Sequence, residues 1–357
     1  MTPSRRRLLF ATGAGVLAAA LAGCGGHESG GVSSTAPSPA PGPAPAPTPA
    51  PAPTPAPAPT PGGLHYASMA TAGLGVGAPL NGAVPFPADN PWNRDISAAP
   101  VDPNSANLIA SIGVSTGLHP DFGVTDGIPY VIVADSQARV TIDFTAYGAE
   151  SDPGPYPIPP NAPIEGGGDR HVLVVDRDNN RLYELFGAVA QSDGSWDAAC
   201  GAVFWLDSDD VRPTAQPGWT SADAAGLPIF PGLVRYDEAS AGLIPHALRF
   251  TVQSTRRAYV PPATHFASSS TDANLPPMGM RVRLKAGFAI PVFFSTEARA
   301  ILQALKNYGM MVADNGSNWY ITGAPDPRWD NGTLNSELGS VKGSDFEVVQ
   351  MDGLVTP

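Results

Sequence analysis

The sequence contains little cysteine, little histidine and few charged residues. Its 357 residues include 2 Cys and 6 His, and Asp, Glu, Lys and Arg together make up 15%, against about 25% in typical soluble domains. Two cysteines are too few for a disulfide scaffold or a four-thiolate zinc site. The chain also has no H-E-x-x-H motif and no closely spaced histidine pair, so we expect neither a dedicated zinc site nor another bound cofactor.

Basic residues are the scarcer of the two charged classes. The chain has 20 Lys and Arg against 32 Asp and Glu, a formal net charge of −12. Residues 1–23 contain three arginines and no acid, so the remainder has 17 basic and 32 acidic side chains, a net charge of −15. Non-specific nucleic-acid binding depends on neutralising phosphates with basic side chains, and we therefore expect no nucleic-acid partner.

The amino-terminal segment, residues 1–23, has the organisation of a signal peptide. Residues 5–7 are arginines, and residues 8–22 form an apolar run that is too short for a stable membrane span. The run ends in Leu21-Ala22-Gly23-Cys24, which resembles the lipobox of bacterial lipoproteins. The alternative is an ordinary signal peptide followed by a chance cysteine.

The lipobox resemblance implies cleavage before Cys24, lipidation of its thiol and anchoring to membrane lipid outside the cytoplasm. Residues 4–9 also resemble a twin-arginine export signal, without the lysine that often closes it, so the Sec and twin-arginine routes both stay open. Gly25 follows the cysteine. In bacteria with two membranes an aspartate there resembles an inner-membrane retention signal, so glycine favours the outer membrane.

A proline-rich linker follows the lipobox, within residues 24–63. Thirteen of the residues from 37 to 61 are proline, at every odd position. Proline lacks the N–H donor and fixes φ, so this run forms neither helix nor sheet. We expect a polyproline II spacer of roughly 78 Å, at about 3.1 Å per residue.

Residues 64–357 have the length of one large β-rich domain. Their 27 prolines are about 9% of the segment, nearly twice the average usage, which excludes long helices from most of it. Short β-branched runs predict strands at residues 130–134, 139–144, 172–175, 182–186, 201–206, 247–252, 280–285, 319–322 and 346–350. We expect a mainly β fold with peripheral helices, an antiparallel β-sandwich-like core and long loops rich in Pro and Gly.

Two peripheral helices are predicted. A cap and a first-turn proline at residues 102–103 precede an apolar pattern that stops at Gly113. Ser295 caps a second pattern over residues 296–308, and Gly309 follows as a left-handed terminator.

The first candidate catalytic segment is rich in glycine. Glu165 and Asp169 are separated by three glycines, and His171 begins the next predicted strand. Catalytic groups often lie where a flexible loop meets a rigid element. The alternative is a glycine-rich turn in which Asp169 pairs with Arg170 or accepts backbone N–H groups.

The second candidate catalytic segment contains Asp237, Glu238 and His246. Glycosidic hydrolysis needs two carboxyl groups, so Glu165 or Asp169 would have to lie about 5–10 Å from Asp237 or Glu238 to act with it. The alternative is a solvated loop and a hydrogen-bonded core histidine.

Candidate ligand-binding residues lie further along the chain. Arg281 and Arg283 form a basic stripe on one strand face, which could bind an acidic sugar or phosphate, or could pair with neighbouring acids as the solvated face of a sheet. Four further residues combine indoles with polar neighbours that suit a sugar face: Trp219, Asp314, Asn315 and Trp319. Tryptophans of β-proteins equally often fill the core.

Three other patterns predict structure rather than chemistry. Residues 113–117 match G-x-S-x-G, but a helical pattern precedes the serine where the hydrolase motif needs a strand. Residues 176–187 open like a calcium loop but lack its glycine and final glutamate. Cys200 would have no partner once Cys24 is lipidated, and is predicted to be a buried small apolar side chain.

The chain from residue 86 to 349 resembles a family of secreted bacterial proteins whose activity is uncharacterised. The matching phrases are residues 156–162, 169–174, 218–223 and 313–317. This resemblance implies one globular unit and carries no activity.

Together these observations predict an exported, membrane-tethered lipoprotein whose β-rich domain acts on cell-envelope or extracellular glycans, as a glycoside hydrolase or polysaccharide lyase. The alternative is a non-catalytic envelope protein that binds glycan or peptide through the same loops.

Overall fold

The computed structural model describes residues 63–212 and 218–356. The predicted signal peptide, the lipidation site at Cys24 and the proline-rich linker lie outside the described residues. Within the described ranges, no helix combines the length and the apolar composition that crossing a membrane requires.

Short strands dominate the described residues, with four α-helices among them. The strands are β1 (His65–Tyr66), β2 (Gly75–Val76), β3 (Ala83–Val84), β4 (His119–Asp121), β5 (Tyr130–Val133), β6 (Ile142–Phe144), β7 (Val172–Asp176), β8 (Arg181–Phe186), β9 (Val189–Ala190), β10 (Trp196–Ala198), β11 (Cys200–Trp205), β12 (Leu248–Val252), β13 (Arg281–Leu284), β14 (Met310–Asn315), β15 (Tyr320–Thr322) and β16 (Phe346–Val348). The helices are α1 (Ser105–Ile112), α2 (Tyr236–Ser240), α3 (Thr296–Asn307) and α4 (Asn331–Gly339). The mainly β prediction is confirmed.

Most strands belong to two mixed sheets. The larger has the order β16-β13-β14-β12-β15-β4 and the smaller β11-β8-β7-β5-β2, beside the small sheets β6-β10-β9 and β1-β3. In the larger sheet β12 runs parallel to β14 and antiparallel to β15. In the smaller, β7 runs parallel to β5 and antiparallel to β8.

The expectation of an antiparallel core is therefore wrong. Parallel neighbours need a crossover of a dozen or more residues, and the long segments between β5 and β7 and between β12 and β14 supply it. Local strand patterns do not reveal which distant strands pair, so the sequence predicted the strands and not their directions.

One apolar core joins the two large sheets. Leu173 of β7 and Leu248 and Phe250 of β12 belong to the same buried cluster. Val172 and Val174 point to the opposite face of the five-stranded sheet and join a second cluster. This alternation follows from the two-residue period of a strand.

The two predicted helices are present. Helix α1 begins at Ser105 and ends at Ile112, directly before Gly113, and Asp102 accepts a hydrogen bond from the Asn104 N–H at 2.8 Å just before the helix. At α3, the Ser295 hydroxyl accepts the Ala298 N–H at 3.2 Å. Both helices are thus confirmed, but the cap predicted at residues 102–103 is wrong, because the N-cap of α1 is Asn104 and Pro103 precedes the helix.

Helices α2 and α4 were not predicted. Helix α2 spans five residues and includes Asp237 and Glu238, which the alternative interpretation placed in a solvated loop. Helix α4 contains Gly332 and is held by the Asp330 side chain, which accepts the Thr333 N–H at 3.0 Å. Both helices are too short or too rich in poor helix formers to show a clear period.

Candidate functional site

Polar side chains cover one face of the six-stranded sheet in two rows. Cross-strand register and contacts define an inner row, made of Asp121, Thr322 and Arg249, and an outer row, made of His119, Tyr320, Thr251 and Asp314. The inner row is buried at Arg249 and Thr322, whereas the outer row is only partly buried. The face thus has a closed end and an open end.

A buried ion pair closes the inner end. The Arg249 Nη2 and Nε atoms lie 3.0 and 3.2 Å from Oδ2 of Asp223, and Nη1 donates to the Thr322 hydroxyl at 2.8 Å. The other carboxylate oxygen of Asp223 accepts the Ala225 N–H at 2.9 Å. Burial acts to lower the pKa of Arg249, but the charge of Asp223 outweighs it and the pKa is raised. Arg249 therefore stays charged.

A second buried pair lies at the start of β7. The His171 Nδ1 atom is 2.6 Å from Oε2 of Glu165, which also accepts the His171 backbone N–H at 3.1 Å. Burial acts to raise the pKa of Glu165, but the hydrogen bond and charge of His171 lower it. Glu165 is therefore held as a carboxylate.

His171 is held as an imidazolium. Its Nε2 atom lies 3.0 Å from the Ala222 carbonyl oxygen, which can only accept a hydrogen bond. Both ring nitrogens therefore carry protons, in agreement with the pKa of His171, which burial acts to lower but the hydrogen bond to Glu165 raises. Ala222 and Asp223 are adjacent, so one short loop links the two ion pairs and, through them, the two large sheets.

Two further carboxyl groups at this face have raised pKa values. Burial, followed by the charges of Asp126 and Glu165, raises the pKa of Asp121 to about 6. Burial, followed by the charge of Asp223, raises the pKa of Asp314 to about 6, although Arg249 opposes the shift. The site thus combines an ionised Glu165 with a protonatable Asp121 close enough to sense its charge.

The glycines between Glu165 and Asp169 have a packing role. A Cβ on Gly166 would lie 3.0 Å from the Thr125 carbonyl oxygen and 3.1 Å from that of Val124. Such contacts are tighter than most real Cβ contacts, so a side chain here would push the neighbouring backbone away, and glycine lets the Glu165 loop pack against the segment that follows β4. This packing brings the Glu165 loop against Val124 and Thr125, on the same segment as Asp121.

The second candidate catalytic segment forms a separate network. Glu238 contacts Arg235 at 2.8 Å and His246 at 3.4 Å. The His246 Nε2 atom lies 2.6 Å from Nη2 of Arg235, which donates, and Nδ1 donates to the Ala247 carbonyl oxygen at 2.8 Å. His246 is therefore buried and held by Arg235, Glu238 and the Ala247 carbonyl group, in agreement with the alternative of a hydrogen-bonded core histidine.

The expected pairing of acids from the two segments has no contact in the structure. Asp169 is exposed, and Asp237 forms a surface ion pair with Arg328 at 2.9 Å. No hydrogen bond or ion pair in the described part of the chain joins Glu165 or Asp169 to Asp237 or Glu238. The charge of Glu165 instead contributes to the raised pKa of Asp121.

Of the two candidate indoles, one lies in the core. Trp319 is fully buried, stacks against Phe250 and Phe346 and donates its Nε1–H to the Gly113 carbonyl oxygen at 2.9 Å. This removes Trp319 from the expected sugar-binding set. Trp219 is partly buried, and the guanidinium of Arg212 lies 5.4 Å from its ring centre.

The remaining candidates divide between the site and the scaffold. Asp314 lies in the outer row, and the side-chain oxygen of exposed Asn315 accepts the Thr255 hydroxyl at 3.1 Å. Arg281 donates to the Tyr308 carbonyl oxygen at 2.8 Å, and Arg283 donates to Glu347 at 2.8 Å. Both arginines brace the chain, so they do not form the free basic stripe that was expected.

Cys200 is buried, and its thiol donates to the Ser221 carbonyl oxygen at 3.0 Å. Burial raises the pKa of this thiol to about 12. A thiol with so high a pKa is a poor nucleophile, as the sequence predicted. In residues 63–212 and 218–356, no group of three or more His, Cys, Asp or Glu side chains is arranged to bind a metal ion.

Sequence reasoning missed Asp121, Asp223 and Arg249. Arg249 alternates with Leu248 and Phe250, which is the pattern of a solvated strand face. Its burial depends on a loop more than 20 residues earlier in the chain, so no local signal reveals it. The phrase at residues 218–223, noted only for its resemblance, does contain Asp223.

Glu184 is a fully buried carboxyl group behind the site. Its Oε1 atom accepts the Ile229 and Phe230 N–H groups, both at 2.9 Å. Burial raises the pKa of Glu184 to about 7, although these backbone bonds oppose the shift.

We expect this group to make stability depend on pH. Between pH 4.5 and 7 the folded state keeps a proton that the unfolded state releases, so the free energy of unfolding falls as pH rises, by at most about 3.5 kcal/mol at about 1.4 kcal/mol per pKa unit. Glu184→Gln removes this contribution, and the difference in Tm between pH 5 and pH 7 should shrink in the variant. An unchanged difference would contradict the assignment.

Comparison with known proteins adds no guide to the site: no protein-family model matches the chain, and no curated protein or solved structure shows significant similarity to it.

Proposed function

We propose that the protein acts on glycans as a glycoside hydrolase, with Asp121 as the proton donor and Glu165 as the second carboxylate. The proposal is carried by the packing of the Glu165 loop, through Gly166, against the segment that follows β4, so that the charge of Glu165 acts on Asp121 beside a partly open polar sheet face. Glycosidic hydrolysis needs one carboxyl group that protonates the leaving oxygen and one ionised group that activates water or attacks the sugar.

Their surroundings support this division of roles. Asp121 has a pKa raised to about 6 and so carries a proton at mildly acidic pH. Glu165 is kept ionised by the His171 imidazolium at 2.6 Å. Acid and base assignments commonly follow from two carboxyl groups whose environments separate their pKa values.

His171, Asp223 and Arg249 are positioning residues in this proposal. All three are buried and have their charges neutralised by a partner. They fix the loop of Glu165 against the sheet that bears Asp121. A rigid supporting shell of this kind keeps reacting groups in place.

The sequence supports a location for this activity. We propose that lipidation at Cys24 holds the protein on the outer membrane, outside the cytoplasm, with the proline-rich linker as spacer. We also propose a sandwich-like stacking of the five- and six-stranded sheets, supported by the core that Leu173 and Phe250 share.

The function is tested by incubating the purified protein with a panel of polysaccharides and measuring released reducing ends. We expect release by the wild type and a loss of roughly 10²-fold or more in Glu165→Gln, with thermal unfolding used to confirm that the variant folds. Equal release by both would remove Glu165 from the mechanism. Binding of a polysaccharide with no release by the wild type would favour the non-catalytic alternative.

A further inference from the structure

Two aromatic rings form a stacked pair in the outer row. The ring centres of His119 and Tyr320 are 4.1 Å apart, with 28° between their planes. Both side chains are partly buried, in contrast to Trp319, which lies on the opposite face and is fully buried. The two inner ring faces cover each other, so the pair offers the outer face of a ring, backed by the second ring, at the open end of the site.

The position of this pair relative to Asp121 follows from the strand. His119 and Asp121 share a face of β4 and are two residues apart, which corresponds to about 6.6 Å along a strand. That separation is comparable to the length of one sugar unit in a chain. A sugar stacked on the pair would therefore have its glycosidic bond near Asp121.

The charges at the site restrict what can stack there. The charges that act on Asp121 include the acids Asp126 and Glu165, and the guanidinium of Arg249 is already paired with Asp223. Burial lowers the pKa of His119, so its ring is neutral at neutral pH. A uronic acid bound here would bring a further carboxylate among acids, which is unfavourable.

We infer that the substrate is an uncharged glycan, one sugar of which stacks on the His119–Tyr320 pair next to Asp121. The inference rests on the proposed function and narrows it. An uncharged substrate also argues against the lyase alternative, because elimination needs an acidic proton beside a uronate carboxyl group.

The test compares two groups of polymers on the wild-type protein: the neutral polymers mannan, glucan and xylan, and the uronate polymers pectate and alginate. On the best neutral substrate, Tyr320→Ala is expected to raise KM about 10-fold with little change in kcat. Tyr320→Phe keeps the ring and should retain the wild-type KM. Tyr147→Ala, at a half-exposed tyrosine away from this face, is the matched control and should change neither constant.

The outcomes of this experiment distinguish the inference about the substrate from the proposed function. Hydrolysis of pectate or alginate in preference to neutral polymers overturns the inference and leaves the proposed hydrolase function standing, whereas their cleavage by elimination overturns both. Turnover of a neutral polymer with an unchanged KM in both Tyr320→Ala and His119→Ala overturns the stacking site alone. Failure of the wild type to bind or cleave any polymer overturns the proposed function and the inference with it.

Discussion

Replacement of Arg249 by Met is expected to lower the free energy of unfolding by roughly 3–5 kcal/mol, the usual cost of breaking a buried ion pair from one side. Asp223 is 1% exposed, and without Arg249 its charge has no compensating partner among the contacts described above. Urea denaturation would measure the change as a shift in the midpoint at constant slope.

A second arginine provides the matched control for this prediction. Arg328 also pairs with two acids, Asp326 and Asp237, but its side chain is 45% exposed. Arg328→Met should therefore cost no more than about 1 kcal/mol. The double variant Asp223→Asn with Arg249→Met removes both charges and should be more stable than Arg249→Met alone. Similar losses in the two Arg→Met variants would show that the buried pair has no special cost.

The second large effect is kinetic, at Asp121. Asp121→Asn keeps the shape of the side chain but has no proton to donate, so kcat/KM should fall by about 10²–10⁴-fold. In the wild type the acid works only when protonated, so activity should decline as pH rises through about 6, the raised pKa of Asp121. The measurement is the pH profile of kcat/KM on the substrate found in the polysaccharide panel.

Two measurements distinguish a proton donor from a structural residue at position 121. One is the dependence of activity on the leaving group, and the other is the pH profile of a variant at a neighbouring acid. Aryl glycosides with acidic phenol leaving groups need little protonation, so Asp121→Asn should lose much less activity on them. Asp126→Asn removes a charge that raises the pKa of Asp121, so it should move the alkaline limb to lower pH with kcat retained. A uniform loss on all leaving groups, with no movement of the limb, would contradict the role of Asp121.

Local sequence patterns predicted most of the strands, but not which strands pair or in which direction. The nine strand predictions each meet a strand in the structure, because alternation and β-branching are local properties. The parallel pairing of β12 with β14 depends on segments 60 residues apart, and nothing local encodes it. The antiparallel expectation failed for that reason.

The site residues likewise divide into those that a local sequence pattern identifies and those that only the fold brings together. Glu165 and His171 were identified because an acid, flexible glycines and a histidine occur within seven residues, and they form a 2.6 Å contact. Asp121 and Arg249 are separated by more than 100 residues and meet only through the sheet. Arg281, Arg283 and Trp319 were candidates because of their type, yet the fold uses them for packing.

The loop at residues 222–223 has a consequence for maturation. The Ala222 carbonyl oxygen accepts a hydrogen bond from His171, and the Asp223 carboxylate pairs with the guanidinium of Arg249, so this one loop joins the two halves of the site. A chain in which only one sheet has formed would possess every reactive side chain and yet lack the arrangement that makes them useful. The site is therefore complete only when the two large sheets have packed together, and an incompletely folded chain is inactive.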